Sequence, residues 1–135
     1  MAESFSGFSE EPAGRLALID EIRAGLSFEM VAAAAEALDL TVNDLAAFGV
    51  IPVRTLSHSR QGGRFSQAQS DRVARFFRIW RHGRDTFGSP EQARRWLERP
   101  SRVLGGAAPM SLLDTEEGAR LVEDTLFRID HGLAA

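Results

Sequence analysis

The stretch that decides the fold runs from Thr41 to Arg60, TVNDLAAFGVIPVRTLSHSR. Thr41 offers a side-chain acceptor just ahead of an apolar-periodic run, and Asp44 stands three residues on, where a capping-box partner belongs. The run breaks at Gly49-Val50-Ile51, and Pro52 follows, fitting the first turn of a new helix, where its missing N–H is not needed. That second helix is expected to run to about Arg60 and to end at Gly62-Gly63. Short helix, tight turn, short helix is the helix-turn-helix arrangement. The second helix would offer Arg54, Thr55, Ser57, His58 and Arg60 to a DNA groove, with Arg64 and Arg72 extending the basic strip. These side chains can bond base edges or phosphate oxygens. The pattern alone is a common one, shared by many helical hairpins that bind nothing.

Charge distribution sharpens it. All sixteen basic residues are arginine. Residues 1–50 carry two arginines against nine acids (−7), residues 51–104 twelve against four (+8), and residues 105–135 two against six (−4), giving the net −3. The basic block begins at the second helix of the pair. Net charge argues against a nucleic-acid partner, while the local field argues for one. The plain alternative for Arg54 and Arg60 is a solvated helix face, and for His58 a surface or half-buried histidine.

Helical signals continue along the rest of the chain. Residues 1–11 lack periodicity and read as a loose tail. From Pro12 to about Ala24, Leu16, Ile19 and Ile22 recur at helical spacing, and Gly25 suits a stop. Ser27 caps a helix to about Leu38 with Val31, Ala34, Ala35 and Leu38 on one face. Ser66 and Gln69 make a capping box for a long helix to about His82, striped by Val73, Phe76, Phe77 and Trp80, which Gly83 is expected to end. Ser89-Pro90 with Gln92 starts the next helix, closed by Pro100, and Thr115 or Asp114 caps a last one with Leu121, Val122, Leu126 and Ile129 inward and Gly132 past its end. No segment alternates like a strand. The fold expected is all-α, with about seven or eight short helices.

Catalysis finds little support. With no cysteine in the chain, thiolate metal sites, disulfides and thiol chemistry are excluded. His58, His82 and His131 are far apart in sequence and form no i, i+4 pair for a metal. Ser57 and His58 are adjacent, so on a helix they diverge by about 100° and make a poor nucleophile–base pair. Leu104-Gly105-Gly106 follows no strand and is not a phosphate loop. No cofactor is expected. No apolar run approaches the roughly 18 residues of a membrane span. The opening MAESFSGFSEE lacks the basic and apolar regions of a signal peptide, so the chain reads as cytoplasmic with no membrane partner.

Three pieces of the second half carry a family signature. They are Trp96-Leu97 ahead of Pro100, then Leu104, Gly105, Gly106 and Pro109 leading into Leu112, Leu113, Thr115, Gly118 and Val122, then Leu126, Arg128, Ile129 and Gly132. With Arg54-Thr55-Leu56 and Ser70-Asp71 in the first half, the chain resembles the Xre/MbcA/ParS antitoxins paired with RES-domain toxins. It departs from that pattern at Ser101-Arg102, where the family often has Asn-Pro, and at Ile51-Pro52, where many Xre-type domains use a serine cap. The resemblance implies an Xre-like helix-turn-helix lobe over 12–84 and a helical toxin-binding lobe with a C-terminal tail over 85–135. It implies a type II antitoxin that inhibits a cognate RES toxin, an NAD-consuming or ADP-ribosylating enzyme, and that represses its own operon as a homodimer on operator DNA. The toxin-binding candidates it transfers are Trp96, Leu104, Gly105, Gly106, Pro109, Leu112, Leu113 and Arg128, with His131, Gly132, Leu133, Ala134 and Ala135 placed to block the NAD pocket. The acidic C-terminal segment suits such a role, because a pocket for an anionic dinucleotide is commonly basic. The alternative from a different class is a stand-alone repressor whose C-terminal lobe only dimerises.

Overall fold

In the computed structural model of the chain, residues 11–132 are described; the tail read over residues 1–11 (all but Glu11) and the residues Leu133, Ala134 and Ala135 lie outside them. The described residues form α1 (Pro12–Ala24), α2 (Phe28–Ala37), α3 (Val42–Ala47), α4 (Val53–Arg60), α5 (Gln67–Phe87), α6 (Pro90–Glu98) and α7 (Glu116–Asp130), with 3₁₀ turns at Arg102–Leu104 and Pro109–Leu112 before α7. The fold is all-α. Among the described residues the only extended pairing is a single isolated bridge between Ser27 and Arg64.

Helix starts follow the local chemistry. Ser27 accepts from the Met30 N–H, Ser89 from Gln92 and Thr115 from Gly118, each satisfying a donor left over at a helix N-terminus. Thr41 and Asp44 close a full capping box, and Ser66 and Gln69 exchange the same pair of hydrogen bonds at 2.8 and 3.1 Å. Pro52 stands one place outside the expected first turn: at φ −62° and ψ 149° it is the N-cap of α4.

Two expectations are corrected. Gly83 does not end α5, which runs on to Phe87 and terminates at Gly88 with φ +78°. Gly83 is buried inside the helix, and a Cβ built there would lie 3.8 Å from the Ala93 side chain of α6. That distance is an ordinary van der Waals contact, and the helix carries the modest cost of a mid-helix glycine rather than ending there. Leu121, expected inward on α7, is 47% exposed, and the buried stripe is Ala119, Val122, Thr125 and Leu126.

The chain divides between Arg78 and Ile79, inside α5, into two compact units. In the first, α2, α3 and α4 pack on one another, and Leu26, Val31, Ala35, Leu45, Ile51, Phe65 and Val73 are fully or almost fully buried. The Phe48 and Phe76 rings lie 5.3 Å apart, within the range of a favourable aromatic pair. A polar knot fastens this unit. The Leu26 N–H donates to the buried Ser70 Oγ at 2.8 Å, the Phe65 N–H to the Leu26 carbonyl at 2.9 Å, and the Arg64 guanidinium to the Gly25 carbonyl at 2.8 Å. Gly25 is required at the centre of the knot: its φ is +89°, and a Cβ would collide with the Phe65 carbonyl. None of the residues of α1 is buried, and Leu16 and Ile19 are 62% and 42% exposed.

In the second unit, α6 and α7 both pack on the Pro109–Leu112 turn. The segment before it is a self-closed loop, in which the Ser101 N–H donates to the Ala107 carbonyl at 3.0 Å and the Gly106 N–H to the Ser101 carbonyl at 2.8 Å. Gly105 and Gly106 take positive φ to make that reversal. Gly118 sits where the 3₁₀ turn crosses the first turn of α7, and a Cβ there would overlap the Leu112 carbonyl.

Ser70→Ala leaves the Leu26 N–H buried without its acceptor, which costs about 1–3 kcal/mol. Chemical denaturation of the two proteins is expected to show a lower midpoint with an unchanged slope; an unchanged midpoint would remove the knot from the account of stability.

Candidate functional site

Helix α4 exposes one face and buries the other. Leu56 and Ser59 are buried, and Arg54, Ser57 and His58, at i, i+3 and i+4, share the outward face. Thr55 lies half-buried on one flank. Arg60, on the other, holds its guanidinium carbon 5.2 Å from the centre of the Phe28 ring of α2, a cation–π distance. The His58 ring lies against Gly63, whose added Cβ would stand 3.1 Å from it. Arg64 belongs to the knot through Gly25, and Arg72 reaches back to the Val50 carbonyl in the α3–α4 turn at 3.4 Å. Thus three of the candidates converge on one exposed face, Arg60 borders it, and Arg64, also exposed, helps hold the unit together through Gly25. Sequence spacing gives no sign of that second duty, because Arg64 and Gly25 are 39 residues apart.

The candidates in the second unit sort by burial. Leu104, Pro109 and Leu113 are buried and Leu112 half-buried, so they frame the lobe from within. Gly105, Gly106, Arg128, His131 and Gly132 are exposed. Trp96 is half-buried, its ring 5.6 Å from that of Phe87.

A feature missed in the sequence reading is the anchorage of the end of α7. The Asp130 carboxylate accepts from the Thr86 hydroxyl at 2.5 Å and from His82 Nε2 at 2.7 Å. The next residue, His131, places its ring 4.0 Å from that of Phe127 and its Nδ1 2.9 Å from the Phe127 carbonyl. The hydrogen bond from Thr86 is the main influence lowering the Asp130 pKa below the usual carboxylate value; partial desolvation opposes it, and the hydrogen bond and charge of His82 reinforce it. The three groups are 44 to 48 residues apart, so no local pattern announces them. Among the described residues no cluster of three or more His, Asp or Glu side chains is placed to hold a metal, and no helix is long and apolar enough to cross a membrane.

This geometry coincides with two family descriptions. Residues 17–78 match the antitoxin Xre-like helix-turn-helix domain, and residues 82–132 match the antitoxin Xre/MbcA/ParS C-terminal toxin-binding domain. The chain belongs to the Xre/MbcA/ParS family of antitoxins. A protein of Yersinia enterocolitica named antitoxin Xre is 34% identical over 125 residues, 90% of this chain and 84% of the relative. A Photorhabdus laumondii protein of the same name is 39% identical over 94 residues, 68% of this chain and 64% of the relative, so the match spans a little under two thirds of that protein. A Sphingobium protein named Prs ADP-ribosylating antitoxin is 43% identical over 51 residues, 38% of this chain and 32% of the relative. The family is one of antitoxins, not enzymes.

Thr86→Val removes the hydroxyl that holds the Asp130 pKa down. Because the native value is lowered, the stability contributed by ionised Asp130 is fully present above the ordinary carboxylate pKa and is lost as the pH falls through the native value. Carboxyl-carbon NMR titration should show Asp130 titrating at higher pH in the variant. An unshifted Asp130 would mean that the hydroxyl is not what lowers it.

Proposed function

We propose that this chain is a type II antitoxin that binds a RES-domain toxin, an NAD-consuming or ADP-ribosylating enzyme, and represses its own operon through α4. The observation that carries this reading is the pairing of two matched domains in one chain, a helix-turn-helix with an outward basic face and a second lobe of the toxin-binding type. DNA binding is supported by the exposure of Arg54, Ser57 and His58 together, with Arg60 beside them. Inhibition is supported by α7, whose end is held by His82 and Thr86 and leaves the lobe at exposed His131 and Gly132. From there residues 131–135 would enter the toxin's NAD pocket, so that inhibition is denial of a site.

A homodimer fits the same reading. Helix α1 offers Leu16 and Ile19 to solvent along a helix with no buried residue, and a helix of 13 residues is marginal in water on its own. Arg15 lies in its first half, and Asp20, Glu21 and Arg23 in its second, with Arg23 3.8 Å from Asp20, so the two halves differ in charge only by a net +1 against −1.

Two measurements test the proposal. Co-expression with a cognate RES-domain toxin should restore growth with the intact chain and fail after deletion of residues 131–135. Equal protection by both forms would discard the plug while leaving sequestration by the lobe. Arg54→Ala and Arg60→Ala should each weaken binding to the promoter fragment of the operon, by roughly 1.5–3 kcal/mol for a lost charged hydrogen bond, and reduce the salt slope by about one ion where a phosphate contact is lost. Wild-type binding by both would move the DNA surface away from α4.

A further inference from the structure

The second unit carries an open cavity of about 310 Å³ lined by Phe87, Gln92, Arg95, Trp96 and Arg99. Its floor is the Phe87–Trp96 ring pair. Its wall is one stripe of α6 and its C-cap, since Gln92, Arg95, Trp96 and Arg99 recur at i, i+3, i+4 and i+7. The opposite stripe, Ala93 and Leu97, is what α6 buries. Packing therefore accounts for one side of this helix and for the Trp96 ring on Phe87, and leaves the Arg95 and Arg99 guanidinium groups on the other side exposed.

Two further facts say what would fill it. Neither the Arg95 nor the Arg99 guanidinium has a carboxylate or carbonyl partner among the described residues, although α6 and α7 carry acids that could serve. Planar guanidinium groups left unpaired beside an aromatic floor take up a carboxylate in bidentate fashion while the ring covers an adjacent apolar group. Arginine and tryptophan are also the side chains that most often dominate the centres of protein interfaces. Phosphate is the weaker match: residues 79–135 carry eight arginines against nine acids, so the unit as a whole has no positive field to draw DNA, and the site is concave.

We infer that this groove docks an acidic segment of the toxin, a carboxylate side chain within a few residues of an aromatic or branched aliphatic one, with Arg95 and Arg99 gripping the carboxylate and Trp96 and Phe87 covering the apolar side chain. The inference rests on the toxin-binding reading and adds an anchoring surface separate from the end of α7. Residues 131–135 then block the active site, and the groove supplies affinity.

The test is calorimetric titration of the full-length protein with a purified cognate RES-domain toxin. Arg95→Glu/Arg99→Glu and Trp96→Ala are each expected to weaken binding about tenfold or more, and the wild-type affinity to fall with salt. Should charge reversal unfold the lobe, the Arg95→Gln/Arg99→Gln protein, checked by its thermal melt, carries the test with the same sign. Wild-type affinity in folded variants overturns the groove alone. Failure of the wild-type protein to bind overturns the toxin-binding reading and the groove with it. Loss of promoter binding with toxin binding intact assigns the groove to nucleic acid and overturns the inference.

Discussion

The helix-turn-helix unit depends on one buried hydrogen bond, from the Leu26 amide to the Ser70 hydroxyl. A buried backbone N–H without an acceptor is costly, so the link between α1 and α2 must lie where Ser70 can receive it. Once Leu26 is there, its carbonyl meets the Phe65 amide, Arg64 bonds the Gly25 carbonyl, and the α4–α5 loop is fixed against the start of α2. That fixes which side of α4 faces the interior, and so brings Arg54, Ser57 and His58 out together. Gly25 is the tolerance of the knot, since any side chain there meets the Phe65 carbonyl.

The second unit works by a related constraint. At Gly118 the 3₁₀ turn of Pro109–Leu112 passes so close to α7 that only hydrogen fits. The same residue's N–H is the donor that Thr115 caps. The start of α7 is thus set by one glycine and its end by Asp130, held between His82 and Thr86. A helix defined at both ends is held in one position, and that precision is what the proposed pocket-blocking role would need.

Arginine shows how far composition can be read. The basic block begins at α4, yet its members have different tasks. Arg54 is outward, Arg60 stacks on Phe28, Arg64 ties a loop, Arg72 reaches a turn carbonyl, and Arg95 and Arg99 rim a groove. Among these, the groove pair and the α4 face are exposed. A count of charges cannot separate these duties, because they differ in which distant group each side chain meets.

By itself the sequence determined the all-α class and most helix starts. Thr41 with Asp44, Ser66 with Gln69, Ser89 with Gln92 and Thr115 with Gly118 interact over three residues, and so short a reach needs no knowledge of the fold. The signature of Trp96, the glycine pair and Gly118 also sufficed for the family. Tertiary structure alone decided that Gly83 lies inside α5 rather than ending it, that Leu121, Leu16 and Ile19 face outward, and that Arg64 bonds the Gly25 carbonyl. It also brought Phe87 to Trp96 and His82 to Asp130. These outcomes turn on contacts that long stretches of chain must close, or on which of several apolar faces wins the limited interior. Neither quantity is written in local spacing.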